Sequence, residues 1–292
     1  MSAFKSIGII GREDEGVKAS TEVLINFLQQ QKVEVVLSEG IASMLPKPDL
    51  PITTRNKIGE MCDLVIVLGG DGSLLSAARM LARHNVPVIG INRGRLGFLT
   101  DILPGEIEQQ VGAVLKGDYT IEKRFLLSAE VMRGDKRIGR AEALNDVVVN
   151  SGTSAKMIDF DLLVNDEFVY RQRSDGLIIS TPTGSTAYSL SGGGPIMHPS
   201  LDAVVLVPMF PHTLSSRPIV IDGNSDIKII INDTNELQPA VTCDGHVQIT
   251  ALPGDAVHVS KKRHKLKLIH PLGHSFYASC RGKLGWSTKL GD

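Results

Sequence analysis

The chain has 292 residues, of which 42% are hydrophobic and 22% charged, and its formal net charge is −1. This composition is typical of a globular protein with one large domain or two ordinary ones. A net charge so close to zero argues against a generally basic surface and so against a nucleic-acid partner, although it does not exclude a local basic patch.

Strands and helices alternate over the first hundred residues. The predicted strands are residues 6–10, 33–37, 64–68 and 86–91, and the predicted helices are residues 17–31, 53–61 and a helix beginning at Ser73, with an irregular stretch at 38–51. Residues 64–68 form a continuous apolar run rich in β-branched side chains, which is typical of a strand buried on both faces. The alternation predicts a mostly parallel sheet covered by helices, with ligands beyond the carboxyl ends of its strands.

After a predicted helix at 104–116, the pattern changes to many short strands. They are residues 119–132, 137–150, 160–164, 167–171, 177–180, 203–207, 218–221, 227–231, 240–243, 247–250, 256–259 and 266–269. Short strands separated by polar turns predict a β-sandwich-like second domain. The pattern alone leaves open where the tail, residues 270–292, packs.

A glycine-rich turn, Gly69-Gly70-Asp71-Gly72, joins the strand at 64–68 to the following helix. Glycines let a ligand approach the backbone, and a helix start presents unpaired N–H groups, so the turn resembles an anion site. Asp71 would repel a phosphate there, which predicts that it takes a proton from a hydroxyl or holds a cation. The alternative interpretation is a tight turn in which Asp71 only hydrogen-bonds the backbone.

A second polar stretch runs from the strand at 177–180 into a turn with five hydroxyls, which are Ser180, Thr181, Thr183, Ser185 and Thr186. Residues 187–191 are long enough for one or two helical turns, ended by glycines and a proline. Hydroxyls at a helix start serve as caps, but their number here exceeds that need and favours a ligand site. Asn145-Asp146, taken alone, reads as an ordinary turn.

Together these motifs resemble the NAD kinase family. The residues that carry the resemblance are Gly69-Gly70-Asp71-Gly72, Asn92-Arg93-Gly94, Leu96-Gly97-Phe98-Leu99, Arg124-Phe125, Asn145-Asp146, Asp175-Gly176-Leu177-Ile178, the run 180–189 and the run 211–218. The resemblance covers essentially the whole chain and is closest to the bacterial members. Gly-Gly-Asp-Gly by itself is shared with lipid kinases and phosphofructokinase-like enzymes, whereas the run 181–188 is highly specific.

The resemblance implies a fold of class α/β plus β. It consists of an N-terminal Rossmann-like parallel α/β domain, residues 1–100 with 271–292, and a C-terminal β-sandwich-like domain, residues 101–270. The C-terminal tail would return to the first domain. The family also forms homodimers or homotetramers, so we expect a homo-oligomer.

The activity implied is transfer of the γ-phosphoryl group of ATP to the 2′-hydroxyl of the adenosine ribose of NAD, giving NADP. Asp71 would be the general base, and Mg²⁺ would arrive with ATP, without a metal site of the protein's own. The implied NAD contacts are Asp71, Gly72, Asn145, Asp146, Lys156, Arg173, Asp175, Thr186, Ala187, Tyr188, Ser189, Leu190, Ser191 and His246, and the implied phosphate loop is Gly69, Gly70, Gly72, Asn92 and Arg93. Without the resemblance, Lys156 and Arg173 read as solvated surface, and His246 as an ordinary core or surface histidine.

Three positions depart from the family pattern: Asp146 stands where glutamate is usual, His246 where glutamine is common, and Gly192 where alanine is common. The competing interpretations are a kinase for a lipid or sugar hydroxyl and a non-catalytic dinucleotide sensor. The chain has neither a Gly-x-x-x-x-Gly-Lys-Ser/Thr loop nor a Gly-x-Gly-x-x-Gly motif after the first strand. These absences argue against a P-loop enzyme and an ordinary dehydrogenase.

The cysteines and the apolar stretches bear on the compartment. Cys62, Cys243 and Cys280 are scattered and lack metal-ligand spacing, which predicts free thiols in a reducing cytoplasm. No apolar stretch reaches membrane-spanning length, and the N-terminus has no charged region followed by a long apolar run and a small-residue cleavage site. We therefore expect a cytoplasmic protein without a membrane partner.

Overall fold

The computed structural model of this chain describes residues 3–46, 49–94, 97–152, 156–235 and 238–286. It divides into two compact units, one of Met1–Arg124 with His264–Asp292 and one of Phe125–Arg263. The C-terminal tail thus belongs to the first unit. The helix predicted at 104–116, which the sequence analysis assigned to the second domain, also lies in the first unit.

The first part of the chain alternates strands and helices. Its elements are β1 (Ser6–Gly11), α1 (Glu15–Gln30), β2 (Glu34–Ser38), α2 (Glu39–Ala42), β3 (Ile52–Thr53), α3 (Arg55–Met61), β4 (Leu64–Leu68), α4 (Asp71–Leu81), β5 (Pro87–Ile91) and α5 (Ile107–Lys116). The strands pair in parallel in the order β3-β2-β1-β4-β5. This arrangement confirms the predicted parallel α/β sheet.

The rest of the chain is mostly strand. Its elements are β6 (Tyr119–Arg133), β7 (Lys136–Ala143), β8 (Asp146–Asn150), β9 (Ile158–Val164), β10 (Glu167–Ser174), β11 (Gly176–Ser180), α6 (Tyr188–Ser191), β12 (Ala203–Met209), β13 (Ile219–Asp222), β14 (Ile227–Ile231), β15 (Ala240–Cys243), β16 (Val247–Thr250), β17 (Ala256–Pro271) and α7 (Phe276–Leu284). The last part of β17 pairs in parallel with β5, through Lys267 opposite Pro87. This pairing leads the chain into α7, within the first unit.

The core of the first unit explains why β4 can carry a site at its end. All five residues of β4 are buried, as the apolar run predicts. Helix α1 begins after Asp14, whose carboxylate accepts a hydrogen bond from the Gly16 N–H at 3.0 Å, and it buries Leu24 and Leu28 in the same core as Ile66. A strand held on both faces fixes the position of the residues that follow it.

Two sheets of the second unit share one core. The first has strands β13-β12-β11-β8-β15-β16 in order, and the second includes β10-β9-β14 with the start of β17. Alternate residues point to the common core, for example Val147 and Val149 from the first sheet and Phe160 and Leu162 from the second. This arrangement confirms the predicted β-sandwich-like domain.

The structure corrects several predicted boundaries. Helix α4 begins at Asp71 and not at Ser73, so Asp71 lies in its first turn. The single strand predicted at 137–150 is two strands, β7 and β8, interrupted at Leu144 and Asn145. The strands predicted at 256–259 and 266–269 are one continuous strand, β17, because the residues between them also keep extended backbone. The stretch 38–51 contains the short helix α2.

Candidate active site

The glycine loop lies at the carboxyl end of β4 and at the start of α4. Gly69 has a φ of +145°, a conformation open to glycine but strained for other residues. Gly70 is the N-cap, its carbonyl accepts from the Ser73 N–H at 2.9 Å, and a Cβ at Gly70 would meet nothing within 4 Å. The loop therefore offers open backbone at a helix N-terminus, as a phosphate requires.

The Asp71 carboxylate is held by the turn that follows β5. The backbone N–H groups of Phe98 and Leu99 donate to it at 2.9 and 3.1 Å. The Thr100 hydroxyl donates to it at 3.1 Å. Three donors leave about one of the four lone-pair sites of a carboxylate for a further partner, and 29% of the side chain is exposed.

Gly97 is required for this arrangement. A Cβ on Gly97 would lie 2.1 Å from Asp71 Oδ1 and 2.3 Å from Thr100 Oγ1. No side chain fits at such distances, so the backbone of the turn packs directly on the carboxylate. Leu96, which belongs to the same motif in the sequence analysis, lies outside the described residues.

Asn92 and Arg93, predicted for the phosphate loop, are engaged in the same region. The amide nitrogen of Asn92 donates to Thr100 Oγ1 at 2.8 Å, and its oxygen accepts from the Arg93 N–H at 2.6 Å. Arg93 also forms an ion pair with Asp14 at 2.8 Å. Asn92 thus supports Thr100, which in turn holds Asp71.

A buried cluster next to this turn ties the tail to the first unit, and the sequence analysis missed it. Asp101 Oδ2 accepts a very short hydrogen bond from His270 Nδ1 and lies 3.1 Å from His274 Nδ1. The two imidazole rings stack with centroids 3.9 Å apart. Glu122 Oε2 lies 3.5 Å from His270 Nε2, on the other side of the ring. The tail is therefore anchored to the residue that follows Thr100.

The charges of this cluster support one another. Burial alone raises the pKa of Asp101, but hydrogen bonds from His270 and His274 and their charges lower it to about 2. Burial lowers the pKa of His270, but the carboxylates of Asp101 and Glu122 raise it by more, so the net pKa is above its ordinary value. Asp101, His270 and His274 bring ligand atoms within 4.8 Å of one another, a donor set that zinc uses. In this structure the Nδ1 atoms of the two histidines contact the Asp101 carboxylate.

In the second unit, Asp244 organises the turn of Leu144, Asn145 and Asp146. Its carboxylate accepts from the Leu144 N–H at 3.0 Å and from the Asn145 N–H at 2.8 Å. The Asp244 N–H donates to the Asp146 carbonyl at 3.0 Å. Thr181 closes the turn from the other side, because its hydroxyl donates to the Leu144 carbonyl at 2.6 Å. Asp244 and Thr181, both distant in sequence from residues 144–146, together hold this turn in place.

Asp146 is buried beside this second carboxylate. Burial, and then the charge of Asp244, raise the pKa of Asp146 to about 7. A carboxyl group with that pKa changes its charge near neutral pH. Perturbed carboxyls of this kind are frequent at functional sites.

The hydroxyls of residues 180–186 have structural partners. Ser180 Oγ donates to the Asn145 carbonyl at 3.2 Å, and Ser185 Oγ donates to the Pro182 carbonyl at 2.7 Å. Gly184 packs so closely on this turn that a Cβ there would lie 2.3 Å from the Asn145 carbonyl oxygen. These hydroxyls close the turn, which the sequence analysis weighed as the less favoured interpretation of their number.

Two buried polar atoms beside this turn have no hydrogen-bond partner among the described residues. They are Asn145 Oδ1 and Ser189 Oγ. Buried polar atoms are almost always paired in folded proteins, so each of these has an unmet hydrogen bond. Tyr188 and Ser191, from the same short helix as Ser189, line a cavity of about 470 Å³ with Phe210 and Arg217.

The remaining predicted NAD contacts are spread over the second unit. Asp175 is half-buried, and its N–H donates to the Met209 carbonyl at 3.0 Å. Arg173 is exposed and lies 4.0 Å from Asp159. His246 is exposed, with Nδ1 at 2.6 Å from the Asp244 carbonyl oxygen, and Lys156 is exposed. Thr186, Ala187 and Leu190 belong to the turn and helix that carry Tyr188.

An open glycine loop at the end of a parallel strand, with a held carboxylate beside it, defines a nucleotide-binding phosphotransferase without a P-loop. The comparisons with known proteins identify the family. The chain matches the ATP-NAD kinase N-terminal domain over residues 7–119 and the ATP-NAD kinase C-terminal domain over residues 144–271. The chain belongs to the NAD kinase family.

Relatives and solved structures agree with this assignment. NAD kinases from Teredinibacter turnerae and Pseudomonas putida are 58% and 57% identical to it, over 100% of this chain and 100% and 99% of theirs. The structure resembles a yeast NADH kinase complexed with NADH, with a TM-score of 0.88 and 25% identity over 98% of this chain and 89% of that one. An NAD kinase from Archaeoglobus fulgidus in complex with ATP has a TM-score of 0.73 and 27% identity over 96% and 97% of the two chains.

These findings confirm the predicted family, and the activity is that of an ATP-dependent phosphotransferase acting on NAD. They favour neither of the competing interpretations, a lipid or sugar kinase or a dinucleotide sensor. In the described part of the chain, no helix is both long and apolar enough to cross a membrane.

Proposed function

We propose that Asp71 is the general base for phosphoryl transfer from ATP to the 2′-hydroxyl of the adenosine ribose of NAD. The observation that carries this proposal is the Asp71 carboxylate, held by three hydrogen bonds beside the open backbone of Gly70. A fixed carboxylate with one accessible lone pair is suited to accept a proton from a positioned hydroxyl.

The 2′-oxygen of NAD forms a bond to the γ-phosphorus of ATP while the bond from that phosphorus to the bridging oxygen breaks. Asp71 takes the hydroxyl proton, and ADP leaves with the bridging oxygen. The backbone N–H groups of Gly69, Gly70 and Gly72 would bind the phosphates. Phosphoryl transfer depends chiefly on positioning and electrostatic stabilisation, which such groups supply.

NAD binding is assigned mainly to the second unit. Asn145 and Asp146 would hold the nicotinamide-side ribose, and Asp175 the nicotinamide amide. The orphan oxygens of Asn145 and Ser189 support this assignment, since hydroxyl and amide groups of a dinucleotide are donors that would satisfy them. Tyr188, Ser191 and the other predicted contacts, Lys156, Arg173, Thr186, Ala187, Leu190 and His246, complete the proposed site.

The divalent cation is assigned to the substrate MgATP. Mg²⁺ prefers several oxygen ligands and keeps its waters, and it usually binds through substrate phosphates and one or two carboxylates. Among the described residues of the glycine loop, Asp71 is the one carboxylate, and its oxygens already accept three hydrogen bonds. The donor set therefore fits a cation held by the phosphates better than a protein cage.

The test is the formation of NADP from NAD and MgATP by the wild-type chain and by Asp71→Asn. We expect the variant to lose about 10²–10⁴-fold in kcat, with a much smaller change in NAD affinity. The asparagine amide must face at least one of the donors that hold Asp71, so the variant also loses stability. Thr100→Val is the control, because it removes one hydrogen bond from the carboxylate and leaves the carboxylate in place. Thr100→Val should lose less kcat than Asp71→Asn, and an Asp71→Asn variant with normal kcat contradicts the assignment.

We also propose that the enzyme acts in the cytoplasm as a homodimer or homotetramer. The described cysteines are buried and form no disulfide, which suits a reducing compartment. Phe210 is 79% and Leu214 98% exposed, and apolar side chains at the surface are what an interface between subunits would cover. Light scattering of the purified protein measures the oligomer, and a monomer at micromolar concentration would contradict this proposal.

A further inference from the structure

Lys283 is a cation at the glycine loop that no sequence motif indicates. It lies in the last turn of α7, within the first unit. Its Nζ is 4.0 Å from Asp71 Oδ2 and 5.5 Å from the centre of the Phe98 ring. The side chain is 32% exposed. A positive charge therefore lies beside the carboxylate and remains open to solvent.

The path of the C-terminal tail places Lys283 beside Asp71. The end of β17 pairs with β5, and His270 and His274 then bind Asp101. Helix α7 follows at once, beginning after Ser275, whose hydroxyl accepts from the Ala278 N–H. Because Asp101 directly follows Thr100, the helix that carries Lys283 and the turn that holds Asp71 are fixed to each other.

The contact with Asp71 is too weak to explain why this lysine lies here. A separation of 4.0 Å is too long for a hydrogen bond, and partly exposed ion pairs contribute little to stability. Arg93, the cation within the loop itself, is already paired with Asp14 at 2.8 Å. An ammonium group on a flexible stem, with three donors, is suited to follow a phosphate that arrives nearby.

The negative charges of Asp71 and of the γ-phosphate favour a cation at this place. Asp71 places a negative charge where the γ-phosphate must approach, and against it the loop has its N–H dipoles and the Arg12 guanidinium, whose Nη2 lies 3.9 Å from the position of a Cβ on Gly72. Charge spreads over the γ-phosphate oxygens during transfer, and a nearby cation stabilises it. We propose that Lys283 is a catalytic residue that binds the terminal phosphate of MgATP through its ammonium group. This inference rests on the proposed role of the glycine loop in binding ATP.

The experiment compares Lys283→Met and Lys283→Arg with Arg281→Met, a control that removes a positive charge from the same last turn of α7. The readouts are kcat and the KM values for ATP and NAD, with equilibrium binding of the magnesium complexes of AMP-PNP and ADP. We expect Lys283→Met to lose about 10- to 100-fold in kcat/KM for ATP and in AMP-PNP affinity. Affinity for ADP, which lacks the terminal phosphate, and for NAD should stay within about threefold.

Lys283→Arg should recover most of the loss, and Arg281→Met should behave as wild type. The proposal is overturned if Lys283→Met binds AMP-PNP like the wild type. It is also overturned if the variant loses ADP and NAD affinity equally, because that result describes a structural role of α7. If the wild type forms no NADP, the proposed function fails, and AMP-PNP binding still decides the role of Lys283.

Discussion

A methyl group at Gly97 should disable the enzyme without touching a substrate. The Cβ of Gly97→Ala would lie 2.1 Å from Asp71 Oδ1 and 2.3 Å from Thr100 Oγ1, so the carboxylate or the turn must move. Asp71 Oδ1 accepts from the Leu99 N–H and the Thr100 hydroxyl, both at 3.1 Å. The substitution therefore breaks two hydrogen bonds and displaces the proposed base.

The two effects have different sizes. At about 0.5–1.5 kcal/mol for each hydrogen bond, the loss in the free energy of unfolding is about 1–3 kcal/mol. In a chain of this length each kcal/mol lowers Tm by about 2–4 °C, so Tm should fall by about 2–12 °C. A displacement of about 1 Å in a reacting group costs up to about 10²-fold in rate. We expect kcat to fall by about that factor.

The assay is the rate of NADP formation at saturating NAD and MgATP, with Tm measured on the same preparation. Gly105→Ala is the control, because a Cβ there meets nothing within 4 Å. Gly105→Ala should keep kcat and Tm. If Gly97→Ala keeps the wild-type kcat, then the carboxylate position fixed by this turn is not needed for catalysis. A loss of Tm with full kcat would refute the link between the turn and the base.

Two further predictions concern the second unit. Because the pKa of Asp146 is raised to about 7, the folded protein keeps a proton that the unfolded chain has released. The free energy of unfolding should therefore fall as pH rises from about 4 to 7, by a few kcal/mol. Asp146→Asn should remove this pH dependence, measured as the free energy of unfolding in urea at pH 5 and pH 8. If the free energies of the variant and the wild type change equally between the two pH values, the assignment is contradicted. Tyr188→Ala should weaken NAD binding by about 1–3 kcal/mol if its half-exposed ring packs on a base. Calorimetry showing unchanged affinity would leave Tyr188 with a structural role.

The sequence allowed the fold class to be predicted because local patterns are strong where burial is complete. The apolar run of β4 has every residue buried, and the glycines after it predicted where the strand ends. The many short strands separated by polar turns likewise predicted the sandwich, and in β9 and β14 alternate residues meet the common core. The ends of strands could be predicted less well. The break between β7 and β8, for example, depends on Asp244, which lies about a hundred positions away in the chain.

The sequence by itself determined the residue types of the site: the glycines, Asp71, the turn at Asn145-Asp146 and the family to which their combination belongs. The tertiary structure alone decided which groups hold them. Asp101 and His270 are 169 positions apart in the chain, and no local pattern links Lys283 to Asp71. Contacts of this kind arise from packing, and the pKa of Asp146 depends on burial and on the charge of Asp244. Periodicity reports which face of an element is buried, but only the folded chain brings distant polar groups within hydrogen-bond distance.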